Sequence, residues 1–131
     1  MKRAWLALAL VLCAGAVSAH KPSDSYLRLS MHSGDAQIQA QWDIALRDLD
    51  LALELDTDRD GAITWGELRT RERDVFGYAL QRLGLAVDDM ACTLQPGETL
   101  VDDHSDGAYA VLRFAASCPG TSRRLAPRTR R

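Results

Sequence analysis

Hydrophobic and polar positions along this chain recur with two different periods, and the change between them divides it. From Ser25 to Met31, Leu27, Leu29 and Met31 alternate with Tyr26, Arg28 and Ser30. From Gln37 to Trp42, Ile38, Ala40 and Trp42 alternate with glutamines. A period of two sends successive side chains to opposite faces of a strand. His32-Ser33-Gly34-Asp35 supplies turn residues between the two runs, so the pair predicts a β-hairpin. Over Asp43 to Leu55 the spacing lengthens toward that of a helix, with Ile44, Leu51, Ala52 and Leu55 as its apolar positions. A second helical stretch, Trp65 to Leu83, sets Leu68, Val75, Phe76, Ala79, Leu80 and Leu83 on one broad stripe. The mixed-sign run Arg69 to Asp74 reads as its solvent face. Strand patterning resumes at Ala91 to Leu94 and at Tyr109 to Ala115, with a turn-rich stretch at Asp102 to Gly107. The expected fold is α+β, a small antiparallel sheet or sandwich with a helix-loop-helix inserted between its strands.

The segment joining the two predicted helices carries the chemistry. Asp56-Thr-Asp-Arg-Asp-Gly-Ala-Ile-Thr-Trp-Gly-Glu67 matches the spacing D-x-[DN]-x-[DN]-G-x5-E of a calcium-binding EF-hand loop at every fixed position. Calcium is a hard cation that takes six to eight oxygens, and a loop must wrap around it to supply them. Asp56, Asp58 and Asp60 stand where carboxylate oxygens are needed first. Gly61 allows the sharp turn, the Ala62 carbonyl and Thr64 follow, and Glu67 closes the shell with both oxygens. Ile63 is expected to turn inward and lend its backbone to a short strand pairing. A solvated acidic turn would require neither Gly61 nor Ile63 nor Glu67. The expected unit is therefore an EF-hand spanning about residues 43–83, with calcium as its ion.

The ends of the chain set its compartment. Met-Lys-Arg, an apolar run from Ala4 to Ala16 and the small residues Val17-Ser18-Ala19 make residues 1–19 a secretory signal peptide. Leu12 stands before Cys13 where a lipid-anchor site needs a small residue. Cleavage after Ala19 leaves an exported domain over residues 20–118 and a basic, tail-like stretch over 119–131 that holds five arginines and no acid. Loss of Lys2 and Arg3 leaves 14 basic residues against 18 acidic ones, a balance that argues against nucleic-acid binding. The setting is the periplasm or the exterior. There Cys92 and Cys118 are expected to form a disulfide, closing a loop of some 25 residues for about 3 kcal/mol in the chain-entropy model.

Other chemistry is thinly represented. There is no Gly-x-Ser-x-Gly, no His-Glu-x-x-His and no phosphate loop, so no enzyme is expected. His20, as the mature N-terminal residue, could chelate nickel or copper through its amine and imidazole, which makes a metallochaperone or transporter accessory the alternative function. His32 and His104 lie in predicted turns without a second ligand at a recognisable spacing.

His20-Lys-Pro-Ser-Asp-Ser-Tyr-Leu27, Gln41-Trp-Asp-Ile-Ala-Leu-Arg-Asp-Leu-Asp-Leu51, Ile63-Thr-Trp-Gly-Glu-Leu68 and His104-Ser-Asp-Gly-Ala-Tyr-Ala-Val-Leu-Arg-Phe114 together resemble the exported N-terminal region of bacterial HupE/UreJ-type proteins. The resemblance spans about residues 20–118. It implies an exported domain carrying the calcium loop, in proteins regarded as hydrogenase or urease accessories and nickel or cobalt permeases with a multi-helix membrane portion. Residues 20–131 hold no apolar run long enough to span a bilayer, so transport by them alone is not expected. The role that follows is a structural calcium ion in a protein-interaction module. A protein partner, or a homodimer formed through the single EF-hand, would complete it.

Overall fold

A computed structural model describes residues 24–32 and 35–119. The signal-like segment, His20 and residues 120–131 lie outside the described residues. Among those described, the fold is α+β. A four-stranded antiparallel sheet has the order β1-β2-β6-β5, formed by β1 (Tyr26–Ser30), β2 (Ile38–Ala45), β5 (Thr93–His104) and β6 (Gly107–Ser117). Between β2 and β5 the chain makes α1 (Leu46–Leu53), α2 (Trp65–Thr70), α3 (Glu72–Leu80) and a two-stranded ribbon of β3 (Ala86–Val87) and β4 (Met90–Ala91). The architecture is one sheet with helices on one side rather than a sandwich.

Register explains which side the helices take. Leu27, Trp42, Leu112 and Thr99 stand opposite one another across the four strands. The same face carries Ala40, Ile44, Ala110 and Phe114, and these pack with Leu46, Leu49, Leu55, Leu68, Val75, Phe76 and Ala79 from the helical segment. The other face carries Tyr26, Arg28, Gln41, Asp43 and Arg113. Each fully buried leucine contributes about 1.5–3 kcal/mol. Burial of Leu49, Leu55 and Leu68 therefore sustains helices of six to nine residues that are too short to persist alone.

Three boundaries differ from the sequence expectation. The segment from Asp43 does not begin as a helix, because β2 continues through Asp43, Ile44 and Ala45, paired with Val111, Ala110 and Tyr109. That extension rotates the helix that follows. Leu46 and Leu49 face the core and Leu53 packs against it, while Leu51 is 86% exposed and Ala52 is also exposed. The second helix breaks at Arg71, whose backbone N–H is shared between Glu67 O and Leu68 O at 3.2 Å each. Leu68 on α2 and Val75, Phe76 and Ala79 on α3 are all buried, as the expected stripe requires.

The third difference is β5. It runs through Asp102 and Asp103 instead of turning there, and only Ser105 and Asp106 separate it from β6. A register shift between Pro96 and Thr99 interrupts it, at the point where Gly97 backs onto β6. A Cβ there would lie 2.6 Å from Arg113 O. The disulfide forms as expected: Cys92 and Cys118 are bonded, which ties the entry to β5 to the exit from β6.

Candidate metal centre

The loop between α1 and α2 starts from a helix that is stopped in a defined way. Glu54 takes a left-handed conformation at φ 51° and returns its N–H to Asp50 O at 2.7 Å. Asp50 then reaches forward and accepts the Asp56 N–H at 2.9 Å, while Leu55 between them is fully buried. This anchor fixes where the first loop carboxylate begins.

From there each aspartate folds the backbone around itself. Asp56 accepts from Asp60 N at 3.2 Å and from Gly61 N at 2.9 Å. Asp58 accepts from Asp60 N at 3.2 Å, and Asp60 from Ala62 N at 2.8 Å. Short acidic side chains that bond backbone a few residues on are a general means of making tight turns. Two residues adopt positive φ in the process, Arg59 at 61° and Gly61 at 88°. The result is that one oxygen from each of Asp56, Asp58 and Asp60 lies within 4.8 Å of the others. Oxygens on one calcium ion at about 2.3–2.6 Å are at most about 5 Å apart, so these three fit a common ion.

Electrostatics at this cluster show strain of one sign. The Asp60 N–H pulls the Asp58 carboxyl down. Desolvation and the carboxyls of Asp60, Asp56 and Glu67 outweigh it, and the Asp58 pKa lies above its ordinary value. A divalent cation relieves this repulsion directly.

The far end of the loop is organised by Glu67. Thr64 caps α2, and a reciprocal capping box joins it to Glu67: Glu67 N–H donates to Thr64 Oγ1, and Thr64 N–H donates to Glu67 Oε2 at 2.9 Å. The Thr64 hydroxyl also donates to Oε2, at 2.8 Å. Oε1 accepts from Thr57 N at 2.8 Å and Thr57 Oγ1 at 2.9 Å, so one carboxylate ties the second loop residue to the first turn of α2. Donation from Thr64 first, and from Thr57 next, holds the Glu67 pKa down at about 2.

Of the six residues expected to ligate, the structure brings Asp56, Asp58 and Asp60 together. Thr64 and Glu67 are engaged with each other and with Thr57, and Ala62 contributes its N–H to Asp60. Ile63 packs against the core as expected, but it belongs to no strand among the described residues. Sequence reasoning missed Asp50 and Thr57. Asp50 lies six residues before Asp56 and Thr57 stands between Asp56 and Asp58, but a motif that leaves those positions free gives them no weight.

Of the described histidines, neither His32 nor His104 joins this loop. His32 lies beside Asp35, Nδ1 to Oδ2 3.3 Å, in the β1–β2 connection. His104 sits at the far end of β5 on the other sheet face, its ring 4.1 Å from that of Tyr109 and 5.3 Å from that of Tyr26. Its Nε2 is 3.8 Å from Oδ2 of the buried Asp43, which also accepts from Gln41 at 2.8 Å. Tyr109 in turn donates to Asp106, which Arg47 also holds. Among the described residues no helix is long and apolar enough to cross a membrane. No family model, no curated protein and no solved structure matches this chain.

Proposed function

We propose that this chain is an exported calcium-binding module in which one ion, held by the loop Asp56–Glu67, fixes the helical segment against the sheet. The observation that carries the reading is the convergence of Asp56, Asp58 and Asp60 oxygens within a calcium-sized sphere. Three carboxylates without nitrogen or sulfur ligands favour a hard cation over nickel or copper. Glu67 completes the shell by exchanging Thr57 for the ion, while the capping box keeps its backbone in place. The disulfide between Cys92 and Cys118 supports an oxidising compartment, in line with residues 1–19 as an export signal. At the affinity of about 10⁻⁴–10⁻³ M common to extracellular modules, the ion would be a constitutive structural part.

A calcium titration tests this, because Trp65 lies within the loop and is half exposed. Tryptophan fluorescence should change saturably with calcium, and Glu67→Gln should abolish the response. Magnesium and nickel serve as comparisons. A tight nickel or copper response with no calcium response would overturn the assignment.

A further inference from the structure

A groove of about 520 Å³ lies between the start of α2 and the β5–β6 hairpin. Leu46 and Leu68, both buried, form its floor. Ile63 and Trp65 wall one side, Val101 and Ala108 the other, and no charged side chain lines it. At 50% and 44% exposed, Trp65 and Val101 leave apolar surface in water at its rim. The strand along the groove, β5, is an edge of the sheet. Ser105 and Asp106 make a two-residue turn, so His104 and Gly107 exchange hydrogen bonds and Asp103 turns its backbone away from β6. The Asp103 N–H accordingly goes to Asp102 Oδ1 at 2.9 Å. Two residues back, Val101 turns its N–H and C=O outward in the same way, where they can pair with an added strand.

Charge selects the occupant. Asp102 and Asp103 follow Val101, both are exposed, and among the described residues neither pairs with a cation. Glu98 on the same strand is already held by Arg113 at 2.7 Å. Arg69, over the Trp65 ring, and Arg47 are likewise taken, by Glu72 and Asp106. The two open charges beside Val101 are therefore both negative. The β5 edge of a second copy would set its own acids against them, and a nucleic acid or an anionic lipid surface would be repelled. We propose that the groove and the β5 edge bind an extended basic segment of another protein. One apolar side chain of that segment seats between Trp65 and Val101, and lysines or arginines beside it meet Asp102 and Asp103. Successive strand residues point to opposite faces, so Asp103 shares the groove face with Val101 and Asp102 does not. Basic residues are thus needed both one and two positions from the apolar one.

Fluorescence anisotropy of the labelled peptide Thr-Arg-Lys-Ile-Lys-Arg-Thr, titrated with the purified chain at low salt, tests it. The partner's chemistry follows from the groove and the edge alone, so the buffer is calcium-free, and failure here would leave the metal reading untouched. The peptide should bind with a dissociation constant on the order of 10⁻⁵–10⁻⁴ M. Replacing its isoleucine by glycine should weaken binding about tenfold or more, because the groove is then left unfilled. Asp102→Asn combined with Asp103→Asn should weaken it about fivefold or more. Both side chains are exposed, so the fold should survive the change. Val101→Lys, at the same exposed edge, should act in the same direction. A peptide still unbound at about 1 mM chain would overturn the proposal. So would binding indifferent to the glycine change, or indifferent to loss of both acids. A chain that instead dimerises, with Val101→Lys restoring the monomer, or that binds anionic vesicles through these residues, would give the groove another occupant and overturn it as well.

Discussion

Adding one methyl group at Gly77 and one at Gly61 is expected to move stability in opposite directions. A Cβ built at either position meets nothing within 4 Å, so sterics do not distinguish them. The backbone does. Gly77 lies inside α3, whereas Gly61 has φ of 88°. In both cases alanine narrows the unfolded ensemble and thereby favours folding by about 0.4–1 kcal/mol. At Gly77 the helix accepts alanine without strain, and the net gain should be about 0.5–1 kcal/mol. At Gly61 the left-handed conformation costs an alanine about 1–2 kcal/mol, which outweighs the gain and leaves a net loss of about 0.5–1 kcal/mol. Urea denaturation of the calcium-free protein reads both values, and thermal melts should show Gly77→Ala raised by about 2–8 °C. A Gly61→Ala protein as stable as Gly77→Ala would show that the loop does not take the left-handed turn, and the aspartate arrangement built on it would fall as well.

Acid should weaken the calcium-free protein in a particular window. The Glu67 pKa is depressed from 4.5 to about 2, so its contribution is complete above the ordinary value and is lost as pH falls toward about 2. Melting temperature should drop across that window, and less steeply in Glu67→Gln. Asp106, also lowered, leaves a residual slope in that variant, and Asp58, pushed up, works in the opposite sense. Replacing Cys92 and Cys118 by serine opens a loop of sequence separation 26 and should cost about 3 kcal/mol in chemical denaturation. Thr99 is 2% exposed and its Oγ1 has no hydrogen-bond partner, so Thr99→Val should stabilise by about 1 kcal/mol. A destabilised valine variant would show that the hydroxyl is satisfied.

The parts of this fold legible in the sequence are those where one local rule dominates. Alternation over Gln37 to Trp42 and the stripe from Leu68 to Ala79 each had a single face to bury. The three aspartates that converge were readable because coordination chemistry fixes their spacing. What was not legible is where two rules compete. Ile44 and Ala45 fit either a strand end or a helix start, and pairing with Ala110 and Tyr109 decides for the strand, a contact made some 65 residues away. Leu51 and Ala52 then misled because the helix phase follows from that boundary. The acidic stretch at Asp102 and Asp103 looked like a turn because β5 is an edge strand. Edges tolerate charges that a central strand would exclude. The bond from Glu67 to Thr57 joins loop positions ten residues apart, and no periodicity reports it.

The acidic loop, the helices, the ribbon and β5 all lie between β2 and β6 in sequence, yet β2 and β6 are immediate neighbours at the centre of the sheet. Ala45, where the excursion leaves, stands opposite Tyr109, two residues into β6, to which the chain returns. The excursion is thus a closed circuit with both terminals on one rung. Bringing them together confines about 60 residues, at a closure cost that grows only as the logarithm of that length. Ordering of the helical segment, by an ion or otherwise, shortens the effective tether before the rung forms. The loop's chemistry is therefore coupled to assembly of the sheet's middle. Its effect reaches β1 only through β2, the one strand beside it among the described residues.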